Sequence, residues 1–287
     1  MKLLALSDVH QMPSKWKDLV KVCQKEKPDV CAIAGDLFPK DRSITKQHTF
    51  LPYMYKYAEL IRDTGADLVL TMGNDDNYCL SMDMEKADKD GLWHYLHGDI
   101  CEINGYEFIG CPWVKDHPFG YKDWCRKEFK EYDNDIVQGQ RCAPLTAFVI
   151  VEEDHFGYEL EEIEDYEHFL ESRKSIQEMM ETLVGYVKDM KKSIWLIHNP
   201  PLGTGLDVTG QWESVGSRAV AEFIMKYQPF LTLHGHIHKS PNMTGKWFCE
   251  MGDTLCIQPG QITPVLHYVM MDIEDGNIIS MEHSVYE

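Results

Sequence analysis

Five short apolar runs in this chain each empty into residues that hold protons or cations. Residues 2–6 (KLLAL) lead into Ser7-Asp8-Val9-His10, and 30–34 (VCAIA) lead into Gly35-Asp36. Residues 68–72 (LVLTM) lead into Gly73-Asn74-Asp75-Asp76, and 194–197 (IWLI) lead into His198-Asn199-Pro200-Pro201. Residues 230–233 (FLTL) lead into His234-Gly235-His236-Ile237-His238. A single Asp or His after a strand is ordinarily a turn residue or a helix cap. The set Asp8, His10, Asp36, Asn74, His198, His236 and His238 is too large for that explanation if it meets on one edge. Imidazole and carboxylate together suit Mn, Fe, Co, Ni or Zn, and a donor set without thiolates argues against structural zinc.

The elements between these clusters say how they meet. Helical patterns at 14–27 and 217–227 alternate with the apolar runs, which implies an α/β fold with a largely parallel sheet. In such sheets functional groups gather beyond the carboxyl ends of the strands, so all five clusters fall on one rim. Glycines 35, 73 and 235 suit tight turns that aim the next side chain. Residues 91–99 read as the end of a helix, and 101–113 as a hairpin turning at Asn104-Gly105. Phe169, Ile176, Met179, Met180, Leu183, Val187 and Met190 follow helical spacing, so 164–191 is expected to be one long amphipathic helix. After the last cluster, "WFCEMG", "TLCIQPG" and "VLHYVMMDIEDGNIISMEH" read as strands, the last a hairpin turning at Asp275-Gly276.

The motifs "DVH", "GD", "GND", "HNPP" and "HGHIH", in this order, resemble those of the calcineurin-like metallophosphoesterases. The resemblance runs from Asp8 to the "QPG" at 258–260. It implies a four-layer α-β-β-α sandwich, two mixed sheets packed face to face and flanked by helices. It also implies two divalent metal ions, one held by Asp8, His10, Asp36 and His238 and the other by Asp36, Asn74, His198 and His236, with Asp36 bridging. Two dications carry four positive charges, from which only the carboxylates Asp8 and Asp36 subtract. The surplus of about two lowers the pKa of a bridging water to give hydroxide and binds phosphoryl oxygens. Asn74 donates a neutral oxygen, which fixes geometry without quenching that charge. Domain organisation is expected to be a single unit over 1–287, with an acidic, partly helical insertion at about 114–192.

One position departs from the family pattern. Where many members place a histidine that protonates the leaving alkoxide, this chain has Asp75, followed by Asp76. An aspartate of pKa about 3.9 beside metal ions is a poor acid at neutral pH. Asp75 is therefore read as a turn residue or partner of a metal-bound His, as a group that positions substrate or water, or as an acid of shifted pKa. Asp75 and Asp76 stand as the candidate catalytic pair in place of the usual His and its partner. Lys40 and Arg42 follow "GDLFP" and are either phosphate contacts or solvated loop charges. Loss of the acid matters least for leaving groups that are weak bases, which favours a phosphodiesterase of small substrates. The alternatives are a phosphomonoesterase or protein phosphatase, and a scaffold of the same fold that has lost turnover.

Remaining features narrow the setting. A net charge of −19 argues against a clamp on long nucleic acid, which needs clustered Lys and Arg. Nine cysteines form no CxxC pair, which fits free thiols in a reducing, cytoplasmic location. No apolar run approaches a membrane span. Residues 152–171 hold ten acids and no Lys or Arg, read as a solvated helix face or as a cap that repels polyanions. "HPFGYKDW" (117–124) is local core or a cleft border, and the Gly-rich 201–217 stretch a loop on the substrate side. His234 is read as packing beside the ligands, and His117 as an ordinary surface or core residue.

Overall fold

A computed structural model describes every residue except 13, 41–43, 120, 132–145, 151–157, 263 and 287; the side chains of 11, 44–45, 146–150 and 158–162 are also outside the description. The chain runs β1 (Lys2–Leu6), α1 (Ser14–Glu26), β2 (Val30–Ala34), α2 (Ile44–Arg62), β3 (Asp67–Thr71), α3 (Ser81–Lys89), β4 (His94–Tyr95), β5 (Ile100–Ile103) and β6 (Tyr106–Cys111). It continues through β7 (Thr146–Ile150), β8 (Tyr158–Glu162), α4 (Tyr166–Glu171), α5 (Ile176–Val184), β9 (Ser193–Ile197), α6 (Arg218–Tyr227) and β10 (Leu231–Leu233). It closes with α7 (Ser240–Thr244), β11 (Phe248–Met251), β12 (Thr254–Ile257), β13 (Val269–Glu274) and β14 (Asn277–His283).

Two six-stranded mixed sheets form the centre, ordered β14-β13-β1-β2-β3-β4 and β11-β12-β10-β9-β6-β5, with β7 and β8 paired separately. β1, β2, β3 and β4 run parallel, as do β6, β9, β10 and β12 in the second sheet. The period-2 alternation of each strand explains the layering. Leu3 and Ala5, Val30, Ala32 and Ala34, and Val69 pack between the sheets against Phe108, Ile194, Leu196, Leu231 and Leu233. Their neighbours Leu4, Leu6, Cys31, Ile33, Leu68 and Leu70 join a cluster with Trp16 and Leu19 of α1 and Met54 and Ala58 of α2. In that same cluster Trp195 and Ile197 of β9 meet Val220, Phe223 and Ile224 of α6. Helices thus cover the outer faces. Strands covered on both sides have to be apolar at every position, which is why β2 and β9 are unbroken runs.

Two sequence expectations are corrected. The 164–191 helix is broken: α4 ends at Glu171, α5 spans Ile176–Val184, and a separate 3-10 turn covers Met190–Lys192. The break has a local cause. Ser175 caps α5 in a reciprocal box with Glu178, so a new helix starts there. The 91–99 stretch is not a helix end, since α3 stops at Lys89 and His94–Tyr95 form the short edge strand β4. Both hairpins turn as expected, with left-handed φ of 53° at Asn104 and 79° at Gly105, and 46° at Asp275 and 77° at Gly276. Among the described residues, no helix is long and apolar enough to cross a membrane.

Candidate metal centre

The loops leaving β1 and β2, and those leaving β9 and β10, are joined in pairs by their backbones. Asp8 N–H donates to Gly35 O (3.0 Å), His10 N–H to Asp36 O (3.1 Å), and Gly235 N–H to His198 O (3.0 Å). Asp8, Asp36 and His236 all adopt left-handed backbone conformations, with φ of 54°, 56° and 66°. Non-glycine residues rarely do so, and such positions concentrate where side chains are held for function. Gly73 is demanded by close approach: a Cβ there would lie 2.6 Å from Asp36 N and 2.7 Å from His198 Cε1.

Asp36 sits at the middle of the cluster. Its Oδ2 lies 3.7 Å from His10 Nε2, while its Oδ1 lies 3.4 Å from His198 Nε2. On the first side, one ligand atom each from Asp8, His10 and Asp36 lie within 4.8 Å of one another. The His238 ring stands 5.8 Å from that of His10. On the second side, Asn74 Oδ1 lies 3.1 Å from His198 Nε2 and is in short contact with His236 Nδ1, and the His198 and His236 rings are 5.4 Å apart. The structure thus brings all seven sequence-derived candidates into two adjoining groups that share Asp36.

Several features fit this pocket to cations. Asp8, Asp36, His10 and His198 are essentially fully buried, and anionic groups so placed require compensation. His10 Nε2 is buried without a hydrogen-bond partner, while its Nδ1 faces Asp75. His198 Nδ1 lies 2.7 Å from Ala34 O, so Nδ1 carries a proton and Nε2 is the nitrogen that faces Asp36 and Asn74. Burial alone would keep the Asp36 carboxyl protonated, but the His198 and His10 rings and the Asp75 amide outweigh it and hold it well below the usual carboxylate range. Burial likewise works against charge on His198, yet Asp36 and Asp8 raise it to about 10. The cluster attracts positive charge. Hard and borderline donors with no sulfur match the divalent first-row metals named above.

The adjacent carboxylates have different surroundings. Asp75 Oδ2 lies 3.2 Å from His10 Nδ1, its Oδ1 accepts from Asn74 Nδ2 (3.1 Å), and its backbone N–H donates to Asp36 Oδ1 (2.9 Å). Asp76 instead accepts from the backbone N–H groups of Leu37, Phe38 and Gly73, each at 2.9 Å. It staples the loop after β3 to the loop after β2. Burial first and the Asp36 charge second push Asp76 up to about 7, against the pull of those three donors. Lys40 is half exposed, with Nζ 3.9 Å from Asp75 Oδ2 and its backbone N–H on His10 O (3.0 Å), so it stands at the site. Arg42 lies outside the described residues.

Other residues at the rim carry no motif. His117 is buried, and its ring centroid is 6.1 Å from that of His236. Trp124 Nε1–H donates to Asp76 O (2.6 Å), which ties the 112–131 segment to the loop after β3. Lys15, wholly buried on α1, donates to Gln261 Oε1 (2.6 Å), and the Gln261 N–H donates to His238 O (3.0 Å). His234 is packing, bonded to Ile197 O (2.9 Å) and Thr232 Oγ1 (2.8 Å). The 201–217 loop is organised from within by Asp207, which accepts from Gly203, Gly205 and Gly216 N–H groups. Part of the acidic 152–171 stretch, including Glu152, Glu153 and Asp154, is outside the described residues.

Comparison with known proteins agrees with this fold. One solved crystal structure superposes with a TM-score of 0.60 at 17% identity over 98% of both chains. The crystal structure of TT1561 of Thermus thermophilus superposes with a TM-score of 0.58 at 15% identity, covering 99% of this chain and 97% of that one. At such identities the likeness is one of fold. A structure described as a novel archaeal phosphodiesterase reaches a TM-score of only 0.46 at 13% identity over 99% of both chains, too low to carry an argument. No curated protein sequence matches the chain. The family model for calcineurin-like phosphoesterases matches residues 1–240. On that match, and on a rim that gathers the motif residues around Asp36, the chain belongs to the calcineurin-like phosphoesterase family.

Proposed function

We propose that the protein is a binuclear metal-dependent phosphoesterase that hydrolyses small phosphodiesters. The observation that carries this reading is the placement of the two Asp36 oxygens, one toward His10 and the other toward His198. Asp8, His10, Asp36 and His238 would hold one divalent cation, and Asp36, Asn74, His198 and His236 the other. When bound, the pair supplies Lewis acidity toward phosphoryl oxygens and an activated water. The chain does the rest. Ala34 O fixes the His198 tautomer, Asp75 orients His10, Asp76 holds the two loops in register, and Lys40 meets the negative charge of the ester at the mouth.

Preference for diesters is supported by Asp75 standing where a histidine acid would, which suits leaving groups that depart without a proton. Preference for small substrates is supported by the net charge of −19, which repels a long polyanion. The described cysteines are free thiols, which supports a reducing compartment such as the cytoplasm.

The test is elemental analysis of purified protein combined with assays on a chromogenic diester and the matching monoester. About two divalent ions per chain and faster turnover of the diester are expected. Faster turnover of the monoester would favour the monoesterase alternative. Metal-loaded protein inert toward both esters would favour the scaffold.

A further inference from the structure

Strands β11 and β12 hold two thiols against each other. In their antiparallel register Cys249 stands directly opposite Cys256. Both side chains lie on the outer face of the second sheet, Cys256 inside the cluster that contains Trp195 and Phe223, and Cys249 packed against it. Directly opposed residues of an antiparallel pair have Cα atoms about 4.5–5.5 Å apart, and a disulfide accepts about 4.4–6.8 Å. The backbone already stands at bonding separation. The two partners differ in access: β11 is an edge strand and Cys249 is partly exposed, whereas Cys256 is wholly buried. A hydrogen bond from Cys256 first, then the Thr204 hydroxyl and the Lys246 ammonium, hold the Cys249 thiol below its ordinary value against the effect of burial. Burial pushes Cys79, Cys101 and Cys125 up to about 12. A thiol reached by solvent, beside a cation and backed by a second thiol is placed to react with oxidants, whereas isolated buried thiols are inert.

We propose that Cys249 and Cys256 form a site of reversible oxidation, which closes to a cross-strand disulfide when the protein meets hydrogen peroxide. The Cys249 thiolate attacks one peroxide oxygen, so an S–O bond forms, the O–O bond breaks, and the departing hydroxide takes up a proton as water. Cys249 is then a sulfenic acid. The Cys256 sulfur attacks the Cys249 sulfur, the S–S bond forms, and the S–O bond breaks to release a second water that carries the Cys256 proton. Two thiols are oxidised by two electrons while one peroxide is reduced to two waters. A small-molecule thiol reverses the reaction by exchange. Neither cysteine belongs to the candidate metal centre, so the site is independent of the phosphoesterase reading.

The test treats the full chain with a small excess of hydrogen peroxide, alkylates the remaining thiols and maps the digest by mass spectrometry without reduction. Tryptic cleavage at Lys246 leaves both cysteines on one peptide, 247–287, and cleavage before Asp253 separates them. The expected product is that peptide lighter by two hydrogens, free of alkyl groups at both cysteines, with its parts still joined after the second cleavage. Dithiothreitol restores both thiols. The buried Cys31 and Cys111 are expected to oxidise at least about tenfold more slowly. In Cys256→Ser the reaction stops at the Cys249 sulfenic acid, which dimedone traps; if that variant does not fold, the wild-type map decides. Retention of alkyl groups on both cysteines after peroxide would overturn the proposal. So would an oxidised Cys249 in the wild type with no link to Cys256, or oxidation of Cys111 as fast as that of Cys249.

Discussion

The Asp75 carboxylate lies 3.2 Å from His10 Nδ1, while the other ring nitrogen of His10 faces Asp36 at 3.7 Å. A carboxylate behind an imidazole fixes the tautomer and raises the basicity of the nitrogen left for a metal. Asp75→Asn is therefore expected to weaken divalent-cation binding about 10–100-fold with the fold intact. Competition against a chromophoric chelator measures it, and an unchanged affinity would reduce Asp75 to a turn residue.

The same residue bears on the leaving group. If no side chain at position 75 protonates the departing oxygen, the rate falls steeply as the leaving group becomes a stronger base. Asp75→His should flatten that dependence across a series of aryl phosphodiesters. A slope equal to that of wild type would mean that an acid acts from elsewhere or that none is needed.

Gly73 leaves no room for a side chain. A methyl group there would stand 2.6 Å from Asp36 N and 2.7 Å from His198 Cε1, so the residue that unites the two halves of the site would be displaced. Gly73→Ala is expected to lose at least one equivalent of metal and about 100-fold or more in kcat/KM. Circular dichroism should remain that of the wild type, because the strands on either side are untouched. Full metal occupancy in this variant would contradict the geometry.

Asp76 acts through amides instead of metals. Its removal leaves the N–H groups of Leu37, Phe38 and Gly73 buried without their acceptor. At about 1–3 kcal/mol for each orphaned group, with some relief by relaxation, Asp76→Ala should cost about 3–5 kcal/mol in urea unfolding. Asp76→Asn keeps an acceptor oxygen and should cost less. Equal stabilities for all three proteins would count against the staple.

Two histidines outside the candidate ligand set make the fold sensitive to acid. Burial first, then Arg126, lowers His97 to about 4; burial first, then His283 and Lys15, lowers His267 to about 4. In the unfolded chain both titrate near 6.5, so between these values the unfolded state binds protons that the folded state refuses. Their contribution is complete above pH 6.5 and is lost as pH falls toward 4, by up to ~3 kcal/mol for the buried His267 and less for the partly exposed His97. Urea midpoints of the chelator-treated protein between pH 7 and 4.5 check this. The His267→Gln variant should show a shallower slope over the same interval, and an identical slope would remove His267 from the account.

The frame and the convergence of the candidate ligands were legible because of how burial works in a layered fold. β1, β2 and β9 are covered on both faces, so they appear as unbroken apolar runs, and the polar residues after them have to lie at strand ends. Asp36 and His198 were readable on the same grounds. His117 was not, because its position beside His236 comes from the path of a loop that leaves no periodic trace. The role of Asp76 was hidden because its partners are backbone amides, and those of Leu37 and Phe38 lie across the site, 39 and 38 residues away in sequence. Lys15 belongs to the same class, with its partner Gln261 246 residues distant. The break before α5 was written in the sequence: Ser175-Ile176-Gln177-Glu178 is a capping-box pattern. Apolar spacing, which continues across the break, masked it. β4 has only two residues, too few to show alternation.

The indole of Trp124, bonded to Asp76 O, bears on how new specificities arise on this scaffold. That bond joins the 112–131 segment to the loop that carries Asn74, so replacing the segment also removes a brace from beneath the candidate metal site. A transplant of 114–131 from a relative with different tastes has to import a comparable N–H at that spot, or the recipient gains a new mouth and loses its grip.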